Sequence, residues 1–209
     1  MKFKLISVLL FLVIMATLPL AVVKCNFKSN NSEYINTEND ENKHVNNEQD
    51  NDINVLLCGF IAAQYDESYC EETVKAVAIL MQTDYDVKPQ KFDLDNKNIY
   101  LSKDKADNSV KEKYSDFEKA VSSVSEIKIT KNNKTLYIPF SKISNGQTVT
   151  DKEYDYLSPV ASPWDCFNIN YNAESNCVGV SLCGLDYLCK NGMSAQEALK
   201  WYLPEFEIG

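Results

Sequence analysis

The hydrophobic and polar positions divide the chain into three regions. Residues 5 to 23 are almost all apolar, residues 26 to 52 are almost all polar, and residues 53 to 209 alternate short apolar runs with polar ones. Only the third region has the periodicities that are typical of packed helices and strands. The pattern therefore predicts one folded domain behind two N-terminal segments.

Five segments of the third region have the pattern of helices. The first is the apolar run INVLLCGFIAAQ at 53 to 64. Three others each begin with a Ser-x-x-Glu capping box, in which both side chains satisfy free backbone N–H groups. Helical spacing predicts that the apolar positions after each box face the core. The boxes begin at Ser68, Ser109 and Ser194, and the fifth helix, SLCGLDYLCKNG, ends at Gly192.

Strand periodicity occurs in two places. Apolar and polar residues alternate at 127 to 129 and again at 136 to 140, and Asn132-Asn133 supplies a tight turn between them. This pattern predicts a β-hairpin. The run CVGVS at 177 to 181 is typical of a short buried strand. Because the helices and strands do not follow a regular β-α-β order, the predicted class is α+β, with short antiparallel strands.

The apolar N-terminal segment indicates an export signal or a membrane anchor. A helix of residues 5 to 23, at about 1.5 Å of rise per residue, spans most of a bilayer. No small-x-small cleavage site follows it, which favours an uncleaved anchor over residues 1 to 25. Lys2 and Lys4 precede it, so the N-terminus is predicted to stay in the cytoplasm. The domain would then be extracytoplasmic, attached to the cell membrane by a single span.

Residues 26 to 52 are predicted to form a disordered tether. They contain nine Asn and seven acidic residues, and too few apolar groups to offset the entropy of ordering. The only histidine of the chain, His44, lies in this segment. Imidazole is therefore not available in the predicted domain, which argues against serine and cysteine triads there.

The charge of the domain argues against nucleic acid as a partner. Residues 53 to 209 contain 16 Lys and 23 Asp plus Glu, and the whole chain contains no arginine. Phosphate binding needs clustered cations. A net negative charge of this modest size most commonly serves to keep a protein soluble.

Seven cysteines leave several possibilities open. Cys25 adjoins the predicted anchor, and the six cysteines of the domain could form disulfides in fifteen connectivities. Their spacing lacks the short CxxC of zinc knuckles, so no metal is predicted, and no cofactor either. Buried free thiols are the alternative. The six are Cys58, Cys70, Cys166, Cys177, Cys183 and Cys189.

Three blocks of the domain resemble the stage II sporulation protein D family, in that family's order. The first is GFIAAQYDESYCEETVKAVAILMQTDY at 59 to 85, similar to a helix-loop-helix with a catalytic glutamate. The second is ISNGQTVTDKEYDYLSPVASPWD at 143 to 165, similar to a Ser/Gly-rich stretch before a Ser-Pro-Trp-Asp box. The third is SNCVGVSLCGLDYLCKNGMSAQEALKWYLPEFEI at 175 to 208, similar to a Gly-rich turn that leads into a helix.

The resemblance implies cell-wall chemistry during engulfment of the forespore. Members of the family are membrane-anchored lytic transglycosylases that act on glycan strands stripped of peptides. One glutamic acid protonates the glycosidic oxygen and then serves as the base. Its pKa must be raised so that it begins the reaction protonated. The implied partners are peptidoglycan glycan strands, or cell-wall and sporulation proteins.

The chain departs from the family at the positions that carry the chemistry. Gln64 stands at the catalytic glutamate, Gln82 at an arginine and Asn176 at a histidine, while Leu182 replaces the glutamine after Ser181. An amide has no proton to give at biological pH. Losing a general acid costs about 10² to 10⁴ in rate. The resemblance therefore predicts weak or absent cleavage, and no residue is assigned as catalytic.

Without cleavage, the remaining predicted function is binding of glycan or of a partner protein. Two alternatives to this prediction stay open. Tyr202 offers a flat ring in addition to the predicted site residues. One alternative is an active enzyme that uses a different carboxylate among Asp66, Glu67, Glu71 and Glu72. The other is an exported domain for protein contacts. The predicted substrate-binding residues are Gln64, Tyr65, Gln82, Ser144, Gly146, Trp164, Asn176 and Ser181.

Overall fold

The computed structural model describes residues 46 to 209, with side chains from residue 53 onward. The predicted membrane anchor and residues 26 to 45 of the predicted tether lie outside the described residues. Within residues 46 to 209, no helix has the length and apolar character needed to cross a bilayer.

Five helices and five short strands form the described part, so the predicted α+β class is confirmed. The helices are α1 (Asn46–Gln64), α2 (Glu71–Val87), α3 (Asn108–Val124), α4 (Leu182–Lys190) and α5 (Ala195–Tyr202). The strands are β1 (Ile129–Lys131), β2 (Lys134–Thr135), β3 (Phe140–Ser141), β4 (Val180–Ser181) and β5 (Glu207–Ile208). Three 3₁₀ helices cover Pro89–Lys91, Lys152–Tyr154 and Pro163–Phe167.

Helix α1 begins earlier than the sequence predicts. It starts at Asn46, so it includes the last seven residues of the predicted tether, 46 to 52. Once a helix is nucleated, each added residue gains one backbone hydrogen bond at little further cost. The apolar run from Ile53 onward, which is buried from Leu57 to Ala62, supplies the nucleus, and the polar residues before it extend the helix.

Helix α2 is the centre of the core. It packs against α1, α3, α4 and α5, and the unbroken run Ala76 to Met81 is buried. The predicted core positions Val74, Val77, Ala78 and Met81 are confirmed. A helix that is buried on nearly all sides fixes the positions of the four helices around it.

The capping boxes were predicted correctly at only one of three helices. At α5, Ser194 and Glu197 form both halves of the box. At α3, the cap is Asp107, whose carboxylate accepts from Val110 N at 3.0 Å, so the box predicted at Ser109 is wrong. The box at Ser68 is also wrong, because a turn around Asp66 uses the Ser68 N–H and α2 begins only at Glu71.

The predicted turn and its antiparallel pairing are confirmed, but the second strand covers Lys134–Thr135 and ends before the predicted arm at 136 to 140. Strands β1 and β2 pair antiparallel, and Asn132 and Asn133 have φ angles of 53° and 60°, as a tight turn requires. The N–H of Ile138 donates to the carboxyl of Asp84 at 2.6 Å and not to a strand. Strand β3 then pairs with β4 in parallel, which corrects the prediction of antiparallel strands only.

Candidate functional site

Gln64 ends helix α1 at the wall of a small cavity. The cavity has a volume of about 120 Å³ and is also lined by Met81, Tyr137 and Phe140. The Gln64 amide donates to the backbone carbonyl of Asn98 at 2.7 Å. This amide is therefore held by the protein itself, in a cavity too small for a sugar ring.

Of the residues predicted to form one site with Gln64, Gln82 and Asn176 have contacts or positions elsewhere, and only Tyr65 adjoins it in the chain. Gln82 donates to the carbonyl of Ser125, at the end of α3, at 2.6 Å, and shares no partner with Gln64. Asn176 lies exposed in the loop before β4. Tyr65 follows Gln64 directly but packs on α3, where its ring meets that of Phe117 edge-on at 5.0 Å.

The carboxylates near Gln64 have the wrong ionisation for a general acid. A hydrogen bond from the Ser68 N–H lowers the pKa of Asp66, and Lys142 lies 3.6 Å from its carboxylate. A hydrogen bond from Lys75 lowers the pKa of Glu72. Both groups are therefore ionised at neutral pH and have no proton to donate.

Asp84 has the opposite ionisation but cannot contact an external sugar. Burial raises the pKa of its carboxyl to about 8, and the residue is entirely enclosed. One carboxyl oxygen accepts from the Ile138 N–H, while the other has no hydrogen-bond partner. Asp84 thus fastens α2 to the chain before β3.

Asp165 organises the second group of predicted residues. Ser144 donates to its carboxyl from both N and Oγ, at 3.0 and 2.5 Å, and Ser162 Oγ donates at 3.0 Å. Gly146, with φ of 105°, closes the turn by accepting from the Ser162 N–H at 2.8 Å. Ser181 caps α4 by accepting from Gly184 N at 3.3 Å. Ser144 and Ser181 are fully buried, so their hydroxyls serve the fold.

A chain of hydrogen bonds connects Asp165 to the surface. Trp164 Nε1 lies 3.4 Å from the Tyr202 hydroxyl, which lies 2.6 Å from Ser162 Oγ. With Ser162 donating to Asp165, Tyr202 donates to Ser162 and Trp164 donates to Tyr202. Gly184 leaves room for this chain, because a Cβ there would lie 2.0 Å from the Tyr202 oxygen. The buried carboxyl therefore orients the Trp164 ring.

Three aromatic rings form a partly exposed surface above this network, here named the aromatic platform: Trp164, which is half-buried, Tyr187 and Trp201. Trp164 and Tyr187 stack with ring centres 5.3 Å apart and planes 5° from parallel, and Trp201 lies 5.4 Å from Trp164. Tyr187 is 47% exposed and Trp201 is 40% exposed. Phe167, three residues beyond Trp164 on the same 3₁₀ helix, is 89% exposed.

One ring of the platform, Trp164, was predicted from the sequence as a site residue, and the other two were not. Tyr202 was predicted as a flat face, but it is buried and its hydroxyl is bonded to Ser162. Tyr187 and Trp201 lie outside the buried stripes of α4 and α5. Large aromatic side chains on the polar faces of two neighbouring helices were the signal that could have identified them.

The six cysteines in the described part are free thiols. Burial raises the pKa of Cys58 and Cys189 to about 12, and that of Cys177 and Cys183 to about 11. Such thiols are protonated at neutral pH and react slowly. Among residues 46 to 209, no group of three or more His, Cys, Asp or Glu is placed to hold a metal ion.

No protein-family model matches the chain, and no curated protein matches it. The similarity of the three blocks to the stage II sporulation protein D family stays a prediction.

Proposed function

We propose that this domain binds peptidoglycan glycan strands outside the cell membrane, as a sporulation protein that resembles the family above but does not cleave the strands. The observation that carries the proposal is the aromatic platform. Pyranose rings present flat C–H faces, and exposed Trp and Tyr rings offer matching apolar surfaces. The platform lies on three separate segments of the chain.

The platform is held in place before any ligand binds. Trp201 Nε1 donates to the carbonyl of Ala161 at 2.9 Å, and Trp164 is fixed from below by Tyr202. Little side-chain entropy is then lost on binding, since the rings already occupy one orientation. A rigid pair of stacked rings, of which Tyr187 is exposed and Trp164 is half-buried, favours a binding role over a role in the core alone.

The proposed lack of cleavage follows from the ionisation of the carboxyl groups. Gln64 has no titratable proton, and the lowered pKa values of Asp66 and Glu72 leave those groups ionised. Asp84 holds a proton at neutral pH but is enclosed. Incubating the full chain with peptide-stripped glycan should release no anhydro-muramyl products, and release at a rate typical of transglycosylases would contradict the proposal.

Binding at the platform has a direct spectroscopic test, because the chain contains two tryptophans and both lie in the platform. Adding glycan strands to the full chain in detergent should change the tryptophan emission in a saturable way. Tyr187→Ala keeps both tryptophans and should weaken binding about tenfold, since it removes an aromatic contact worth on the order of 1 kcal/mol together with the apolar area that the ring covers.

Leu94→Ala is the matched control for Tyr187→Ala, because Leu94 is also 47% exposed but lies outside the platform. Its affinity should equal that of the unmodified chain. If neither emission nor sedimentation responds to glycan, the proposal is wrong. The exposed side chains of Phe167 and Ile169 would then favour a protein partner, which is the second candidate function.

Gln64→Glu is expected to remain inactive on peptide-stripped glycan. The introduced carboxyl would face the Asn98 carbonyl, now 2.7 Å from the amide nitrogen, and could bind it only in protonated form. Its proton would then be engaged by the backbone, although its pKa would rise. Product release should stay at background in a chromatographic assay, and the double variant with Gln82→Arg should not differ, because Gln82 contacts a separate region.

A further inference from the structure

Two cysteines lie where the start of helix α2 meets helix α4. Cys70 is the N-cap residue of α2, and Cys189 lies in the last turn of α4. The two helices pack against each other. Cys70 is half-buried, whereas Cys189 is only 6% exposed. The start of α2 and the end of α4 thus carry one thiol each, and solvent contacts one of the two more than the other.

Asp186 ties the backbone of Cys70 to α4. Its Oδ1 accepts from the Cys70 N–H at 3.3 Å and from the Thr73 hydroxyl at 2.8 Å. Cys189 follows Asp186 by three positions, and side chains three apart in a helix lie on one face. The thiol of Cys189 is therefore on the face of α4 that contacts the first turn of α2.

The hydroxyl of Thr73 adjoins both thiols. Its Oγ1 lies 3.2 Å from the Cys70 sulfur, and the residue is fully buried. Because the hydroxyl hydrogen of Thr73 is donated to Asp186, the Cys70 thiol is the donor in this contact. Burial raises the pKa of Cys189 to about 12, a hydrogen bond with Thr73 lowers it, and the nearby Cys70 raises it. Among residues 46 to 209, Cys189 is the one buried thiol whose pKa another cysteine affects.

We propose that Cys70 and Cys189 form a disulfide that fastens α2 to α4, with a low-molecular-weight disulfide as the oxidant. The Cys70 thiolate, as the more exposed of the two, attacks one sulfur of the oxidant. The S–S bond breaks, and the leaving sulfur takes up the proton that Cys70 lost. Cys189 then attacks the Cys70 sulfur of this mixed disulfide, and the second half of the oxidant leaves as a thiol. The two cysteines thereby lose two electrons, and one oxidant molecule becomes two thiols.

The cross-link goes beyond glycan binding and does not depend on it. The domain is proposed to lie outside the cell membrane, where disulfides form and persist. A bond between residues 70 and 189 closes a long loop and so reduces the entropy of the unfolded chain. Oxidation should therefore raise the thermal midpoint by about 10 °C.

Peptide mapping of the full chain tests the pairing directly. The protein in detergent is incubated with oxidised glutathione at mildly alkaline pH, and its remaining thiols are alkylated. It is then digested, without reduction, by trypsin and a protease that cleaves after Asp and Glu. This digestion isolates Cys70 in the peptide SYCE, residues 68 to 71, and Cys189 in YLCK, residues 187 to 190. We expect these two peptides to be joined by a bond that dithiothreitol breaks.

Cys70→Ser should remove both the joined peptides and the gain in thermal midpoint. Cys183→Ser is the matched control and should keep both, because Cys183 is also half-buried and lies on α4. The assignment is wrong if Cys70 is recovered alkylated, with glutathione attached, or joined to a cysteine other than Cys189. Oxidation in concentrated urea should lower the yield of the joined peptides. An equal yield there would contradict the proposal, since the fold would then not be what brings the two thiols together.

Discussion

Replacing Asp84 with asparagine is expected to raise the free energy of unfolding by about 5 kcal/mol more at pH 8 than at pH 4. The reason is that burial raises the pKa of this carboxyl from 3.8 to about 8. Asparagine keeps an oxygen for the Ile138 N–H and removes the group that must ionise. Its Nδ2 would occupy the position of the oxygen that now lacks a partner, which changes the stability by the same amount at every pH and leaves this pH dependence unaltered.

The sign of the pH dependence follows from the protons bound in each state. Between pH 4 and pH 8, the unfolded chain has lost the proton of Asp84, while the folded protein keeps it. The folded state therefore becomes less stable relative to the unfolded state as the pH rises through this window. Above about pH 8 both states are ionised, and the difference between Asp84 and asparagine becomes constant.

Urea denaturation of both proteins at one-unit steps from pH 4 to pH 9 measures the effect. Asp95→Asn is the control, because Asp95 is exposed in a turn. Its replacement should change the free energy of unfolding by the same amount at every pH. A stability gain for Asp84→Asn that does not change with pH would show that the carboxyl is already ionised in the folded protein. That result would overturn the expectation.

The parts of the fold that depend on local chemistry were predictable from the sequence. The Asn132-Asn133 turn, the box at Ser194 and the buried positions of α2 each follow from a few neighbouring residues. The cap of α3 was missed because Asp107 and Ser109 are both good capping residues and only the folded backbone chooses between them. Local patterns leave such choices open.

The parts that depend on long-range contacts were not predictable. Asp84 takes the Ile138 N–H that the predicted hairpin assigned to a strand, and the two residues are 54 positions apart. Trp164, Tyr187 and Trp201 likewise come from three segments, and no period in the sequence relates them. The resemblance placed Gln64 and Gln82 at one site, but the structure gives them separate partners.

Replacing Asp165 with alanine is expected to cost about 3 kcal/mol of unfolding free energy and also to abolish glycan binding. The change leaves Ser144 N, Ser144 Oγ and Ser162 Oγ without their common acceptor. Each buried donor left unpaired costs about 1 to 3 kcal/mol, and partial entry of water into the new space offsets some of the sum. Thermal and urea denaturation measure the loss.

The loss of binding is expected because Asp165 acts on the platform through the hydrogen-bond chain. Without the carboxyl, Ser162 Oγ can turn its proton toward Tyr202, and the Tyr202 hydroxyl no longer has a fixed orientation in which to accept from Trp164 Nε1. Asp165→Asn retains one acceptor oxygen and should therefore lose less stability and keep part of the affinity. Tryptophan emission at a temperature where all three proteins are folded separates binding from unfolding. Undiminished glycan affinity in folded Asp165→Ala would mean that the stacked rings hold their orientation without the carboxyl, and the buried network would then serve stability alone.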